Sequence, residues 1–254
     1  MFEFGTFEIT YLQWGLLAFC AFLVGASKTG IPGVSIVVVP MVATIVDPKA
    51  SVGLLLPMLI FADIFAAGYY RRKAQWFHIV RLFPWTLCGI VAGYFAMGYV
   101  SSSQLKPIIG GIVLVMIGLK YWLGKTNEAS RDFDFSDHWV FAAVVGFFIG
   151  LTTMMANAAG PVMMIYLLST NLKKFEFVGT TAWFFFIINW VKVPFNAKLD
   201  LITAESLKLD ATLFPMIAVG AIAGIYALKY IPQKKFNTVV LLLAVAGGVK
   251  LLFW

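Results

Sequence analysis

Charge is what this sequence has least of. Only 12% of its 254 residues are Asp, Glu, Lys or Arg, where an average soluble domain has about 25%. Hydrophobic residues make up 61%, against the usual 45–50% or so. A water-soluble fold of this length has no way to bury that much apolar surface. The composition therefore specifies a multi-pass membrane protein.

Other scarcities exclude further classes. There are two cysteines, Cys20 and Cys88, both inside apolar runs, so no disulfide framework and no metal spacing is present. The two histidines, His78 and His138, sit at run edges beside Trp76 and Trp139, which reads as interfacial placement. No Lys or Arg precedes Lys28, so the basic start of a cleaved signal peptide is missing and none is expected. No phosphate-binding loop, metal-ligand cluster or nucleophile motif appears, which argues against an ATP motor or an intramembrane enzyme. No cofactor and no metal are expected. The net charge of +7 is not a nucleic-acid footprint, because its cations sit in short clusters between apolar runs.

Apolar runs are abundant, and two of them break in the middle. The first breaks at Gly25-Ala26-Ser27-Lys28-Thr29-Gly30-Ile31-Pro32-Gly33. The second breaks at Gly150-Leu151-Thr152-Thr153-Met154-Met155-Ala156-Asn157-Ala158-Ala159-Gly160-Pro161. Lipid tolerates a broken helix only where protein or a cavity satisfies the freed backbone. Paired interruptions in corresponding halves are the best sequence pointer to a transporter site.

The breaks belong to a duplication of nearly the whole chain. Gly25 matches Gly150, Val52-Gly53 matches Val178-Gly179, and Asp63 matches Asn189. Pro84, Gly89, Gly93 and Tyr99 match Pro215, Gly220, Gly224 and Tyr230, while Gly118 and Lys120 match Gly248 and Lys250. The offset drifts from about 125 to about 131 residues, which needs only loop insertions. The domain reading is a first transmembrane repeat over 1–124, a polar linker over 125–138 and a second repeat over 139–254.

The expected fold is an all-α integral membrane protein. Its two homologous halves are inverted repeats, each with a broken or re-entrant helix pair followed by three transmembrane helices. Length favours a re-entrant pair, since residues 11–46 as one helix would span about 54 Å against a hydrocarbon core of about 30 Å. The clusters Arg71-Arg72-Lys73, Lys173-Lys174 and Lys234-Lys235 then share one face, expected to be cytoplasmic, with both termini outside. By whole-chain count the charge advantage over parallel halves is small. The pairs Gly89-xxx-Gly93, Gly220-xxx-Gly224 and Gly146-xxx-Gly150 read as close-packing positions.

Each break is expected to restart a helix inside the membrane, one around Ile31-Pro32-Gly33 and one around Ala158-Ala159-Gly160-Pro161. Their free N–H groups and positive dipole ends would face the gap and suit an anion. The candidate cradle is Ser27, Lys28, Thr29, Gly30, Pro32, Gly33, Thr152, Thr153, Asn157, Ala158 and Gly160, with Thr181 and Asn189 lining it and Thr180 as a further hydroxyl. Gly and Pro merely kinking the helices, with hydroxyls bonded back to carbonyls, is the structural alternative. Lys28 either faces substrate, pairs with an acid, or reaches to an interface. Asp63, embedded among apolar residues, either carries protons, pairs with Lys28, or ties helices together. Lys192 lies three residues after Asn189 on the same helical face. Asp63 and Lys192 are the coupling candidates.

The first break, the second break with Tyr166, and the stretch Phe177-Val178-Gly179-Thr180-Thr181-Ala182-Trp183-Phe184-Phe185-Phe186 followed by Asn189-Trp190-Val191-Lys192-Val193-Pro194 together resemble the TauE/SafE sulfite exporter family. The resemblance spans the chain, including its length and duplication. It implies transport of sulfite, organosulfonates or related sulfur-containing anions across the bacterial cytoplasmic (inner) membrane, often outward. The expected function is a secondary transporter of small sulfur oxyanions working by alternating access. The alternatives are an anion channel with the same site, an uptake permease for another organic anion, and a structural membrane subunit. Expected partners are a small anion and the lipid bilayer, with no nucleic acid; assembly as a homo-oligomer is left open.

Overall fold

The computed structural model describes residues 2–4, 7–33, 37–43, 45–46, 48–99, 139–170 and 172–253. The linker at 125–138, the apolar run at 105–123, Gly118, Lys120, Trp122, His138 and Trp254 lie outside the described residues. Two short strands, β1 (Phe2–Phe4) and β2 (Phe7–Ile9), pair antiparallel at the start. Among the described residues the elements that follow are helices: α1 (Tyr11–Thr29), α2 (Val38–Val42), α3 (Pro48–Tyr69), α4 (Trp76–Ala96), α5 (Trp139–Ala156), α6 (Gly160–Leu168), α7 (Lys174–Lys198), α8 (Ala204–Tyr230) and α9 (Gln233–Phe253). Six of these, α1, α3, α4, α5, α7 and α8, are long and apolar enough to cross a membrane. Trp76 and Trp139 start helices and are exposed, as anchors at a lipid–water boundary would be.

Both sequence breaks are real. Thr10 caps the start of α1, accepting from Gln13 N while the Gln13 side chain accepts from Thr10 N. The helix stops at Thr29, and Tyr70 at the end of α3 donates its hydroxyl to the Thr29 carbonyl at 2.7 Å. That bond satisfies one of the acceptors a helix end leaves open. The second break separates α5 from α6, with Asn157 at φ 51° making the turn. α6 then starts at Gly160 with Pro161 in its first turn, where a missing N–H costs nothing.

The first break departs from expectation. Helix does not restart around Ile31-Pro32-Gly33. Those residues form a turn, with Gly33 at φ 98°, and α2 begins only at Val38 and lasts five residues. The stretch Val34-Ser35-Ile36-Val37-Val38-Val39 is rich in β-branched residues of low helix propensity. The two half-helices are therefore unequal.

Packing repeats as the sequence does. α1 lies along α8, and α4 lies along α5. A Cβ on Gly25 would meet the Ile217 carbonyl and Ala221 N; one on Gly150 would meet the Thr86 carbonyl and Ile90 N. A Cβ on Gly220 would meet the Phe22 carbonyl, and one on Gly89 the Phe147 carbonyl. Each contact in the first pair of helices has its copy in the second. Without a hydrophobic drive between helices in lipid, such close backbone approach is the main source of their association.

α3 and α7 occupy matching places in the two copies, and they run antiparallel. Gly53 abuts Leu201, Asp63 meets Asn189, and Gln75 N donates to Thr180 Oγ1. Around this central pair the apolar core divides in two. One cluster gathers α1, α2, α3 and most of α8, and the other gathers α4, α5, α6, α7, the end of α8 at Leu228 and the start of α9 at Phe236 and Val240.

Candidate functional site

A cavity of about 50 Å³ lies where the two breaks face α3 and α7. That is several times the 10–15 Å³ or so that one water needs. From the first break it is lined by Ser27, Lys28, Pro32 and Gly33. From the second it is lined by Thr153, Asn157, Ala159, Gly160 and Met164. Leu59 from α3 and Thr181, Phe185 and Asn189 from α7 complete the wall. A smaller, mostly apolar pocket between Val24, Val38, Val39 and Leu55 shares Leu59 and Asn157 with it.

Three charged side chains meet at this wall. Lys28 Nζ forms a salt bridge with Asp63 Oδ1 at 2.8 Å, and it sits 4.6 Å from the Phe185 ring centre. Asn189 Nδ2 donates to the other carboxylate oxygen of Asp63 at 2.7 Å. Lys192 is wholly buried on α7, one turn further on. Its ammonium donates to Asn157 Oδ1 at 2.6 Å, to Thr153 Oγ1 at 3.1 Å and to Asn189 Oδ1 at 3.3 Å. All three acceptors are neutral. Lys28 and Asp63 pair with each other, and among the described residues no acid pairs with Lys192.

The fold explains why the charges converge. On α7, Thr181, Phe185, Asn189 and Lys192 fall at helical spacing on one face. Asn157 adopts a left-handed backbone that most residues avoid. Its amide therefore turns inward, donating to the Val52 carbonyl of α3 at 3.0 Å while its oxygen receives Lys192. One side chain thus ties the second break to both central helices. The start of α6 opens at Ala159 and Gly160 on the same cavity, adding backbone N–H groups and the positive end of a nine-residue helix.

The structure places the expected site residues unequally. Ser27, Lys28, Pro32, Gly33, Thr153, Asn157, Gly160, Thr181 and Asn189 all border the cavity. Thr29 does not: its hydroxyl donates to the Gly25 and Ala221 carbonyls and binds α1 to α8. Gly30 packs against Gly224. Thr152 donates back to the Phe148 carbonyl, and Ala158 N bonds to the Thr152 carbonyl. Thr180 accepts from Gln75 N. Asp63 and Lys192 stand behind the wall and act on it through their partners. Leu59, Met164 and Phe185 were not anticipated; for Phe185, the four-residue spacing from Thr181 and Asn189 was the available signal.

Fold and site together define a multi-pass membrane protein with a polar-lined cavity between its two helix breaks. The family model "Sulfite exporter TauE/SafE" matches residues 17–251, nearly the whole chain. The protein belongs to the TauE/SafE family, a family of membrane transporters for sulfite and related sulfur compounds. Neither a curated protein nor a solved structure matches it.

Proposed function

We propose that this chain is a secondary transporter of small sulfur oxyanions, with sulfite first and organosulfonates next. It works across the bacterial cytoplasmic membrane, chiefly outward. The observation that carries the reading is Lys192: a wholly buried ammonium whose three acceptors are all neutral. A buried charge without a counter-ion is costly, and a substrate anion would supply what the protein withholds.

In this reading the anion enters the cavity and accepts from Lys192, the Thr153 hydroxyl and the N–H groups that open α6, beside Thr181, whose hydroxyl donates to the Phe177 carbonyl. Charge-assisted bonds of this kind are the stronger ones. Lys28 faces the anion from the other break, its charge balanced by Asp63. Because one Asp63 oxygen is ion-paired with Lys28 and the other accepts from Asn189, we assign Asp63 to fixing Lys28 rather than to carrying protons. The negative-inside potential favours outward movement of an anion by about 2.3 kcal/mol per charge per 100 mV.

Alternating access follows from two halves in inverted orientation. The antiparallel run of α3 against α7 supports that arrangement, as does the direct bond between Asp63 and Asn189. Repeat-related residues that touch must lie beside a two-fold axis. An axis relating antiparallel spanning helices lies in the membrane plane. The repeats would then be 1–124 and 139–254, with both termini on the outer side.

The test is sulfite flux in proteoliposomes. Saturable flux that supports counterflow is expected. Unsaturated flux without counterflow would make the site that of a channel, and no flux with sulfite or any sulfonate would remove the reading. A thermal-shift series of sulfite, sulfate, thiosulfate, taurine, sulfoacetate and carboxylates would rank the anions.

A further inference from the structure

The site just described leaves one buried acid unused. Asp210 lies on α8, six residues in and so about 9 Å from the helix start. It is wholly buried, and neither carboxylate oxygen has a hydrogen-bond partner. Ile217 and Ala221 lie seven and eleven residues further on, which puts Asp210 on the α8 stripe that meets α1 at Gly25. One turn away, Phe214 stacks on Phe61 of α3 with ring centres 4.1 Å apart. Asp210 therefore sits in the seam where α1 and α3 of the first repeat meet α8 of the second.

The elements packed closely against α8 are α1, α3 and β1. Lys28 of α1 and Asp63 of α3 are committed to each other. Glu205 and Lys208 on α8 itself flank the exposed start of the helix. Lys229, nineteen residues further along α8, with Lys49 of α3 and Glu3 of β1, completes the charged residues on these elements, and Lys49 and Glu3 enter the test below. The contrast with Asp63 is plain. Asp63 has a cation on one oxygen and an amide on the other; Asp210 has an apolar seam on both. A bare carboxylate does not survive such surroundings, whereas the neutral acid does.

We propose that Asp210 is a proton-binding site at the seam between the two repeats. With the seam packed as here, it holds a proton as the carboxylic acid. When the seam opens, water reaches the group, the O–H bond breaks, and the proton passes to water and leaves the carboxylate hydrated. Whatever binds one of two states better shifts the balance toward it. Acid therefore holds this seam shut, and alkali favours its opening. The consequence for flux rests on the transporter reading above; the proton site itself does not.

Two measurements separate these. The first uses the native protein in vesicles with dicyclohexylcarbodiimide, an apolar reagent that modifies protonated carboxyls, and locates the adduct by peptide mass spectrometry. Modification at Asp210 and none at Asp63 is expected, falling as the pH is raised. An unmodified Asp210, or equal modification of Asp63, overturns the assignment. K49A and E3Q are expected to leave the labelling of Asp210 unchanged; a change in either shows a shared or ion-paired group and overturns it too. The second measurement compares sulfite counterflow and pH-gradient-driven sulfite flux in wild type and D210N. Wild-type flux that responds to the gradient, with D210N several-fold less responsive but still exchanging, is expected. Wild-type flux indifferent to the gradient, or a D210N response equal to wild type, overturns the coupling. Absence of any wild-type flux counts against the transporter reading, and the labelling then decides the proton site alone.

Discussion

Asn189 Nδ2 donates to Asp63 Oδ2 at 2.7 Å, and these two residues stand at the same position in the two copies of the repeat. One copy holds an acid and the other an amide. Two acids meeting there would repel each other and neutralise both lysines. The mismatch lets a single carboxylate anchor Lys28 while the Asn189 oxygen turns to Lys192. The uneven polarity of the site thus comes from matched positions that carry an acid in one half of the sequence and an amide in the other.

Replacing that acid takes from Lys28 its counter-ion and leaves the wall of the cavity with no carboxylate. Asp63→Asn is expected to destabilise the anion-free protein by about 3–5 kcal/mol, the usual result of breaking a buried ion pair. Sulfite should restore more of the melting temperature than it adds to wild type. A variant that melts like wild type without anion would show that the pair is not essential to the packing.

Lys192→Met keeps the length of the side chain and removes the charge. Sulfite affinity measured by thermal shift or calorimetry is expected to fall at least ~10-fold, or ~1.4 kcal/mol. Wild-type affinity in this variant would place the anion elsewhere.

Adjacent threonines on α5 give a sharper control. Thr153 lines the cavity and receives Lys192, whereas Thr152 donates to its own helix. Thr153→Val should weaken sulfite binding several-fold, by about 1 kcal/mol for a lost hydrogen bond, and Thr152→Val should leave it within twofold or so. Equal effects would mean that α5 presents a different face to the substrate.

Glycines test the paired seams. Valine at Gly25 or Gly150 drives a side chain into the facing carbonyl of Ile217 or Thr86. Each is expected to cost at least about 1–3 kcal/mol and to shift the detergent melting curve similarly in both halves. Gly68 meets nothing within 4 Å, so Gly68→Ala should be neutral or gain up to ~1 kcal/mol from helix propensity. If Gly25→Val is tolerated while Gly150→Val is not, the seams are not equivalent.

Much of the site was legible because its signals are local. Gly and Pro break helices wherever they fall in an apolar run, so the break after α5 and the start at Gly160-Pro161 were visible at once. The sequence also offers Asp63 as a partner for Lys28, because ions in apolar runs seek partners. Less legible was the fate of each hydroxyl. Thr29 and Thr153 look alike in sequence, yet one binds α1 to α8 and the other faces the cavity, and only the helix rotation set by neighbouring glycines separates them. Asp210 drew no notice beside the exposed, polar start of α8; its burial is a property of the seam.

Composition, apolar runs and duplication determined by themselves that the chain enters a membrane, folds in two related helical halves and breaks each near a polar cluster. These follow from solvation of backbone and side chains, which acts residue by residue. Tertiary structure decided which polar atoms face the cavity, that the first half-helix starts late at Val38, and that Lys28 takes the carboxylate of Asp63 while Lys192 takes neutral acceptors. Those outcomes depend on distances between elements far apart in the chain, and backbone contact at the paired glycines sets those distances.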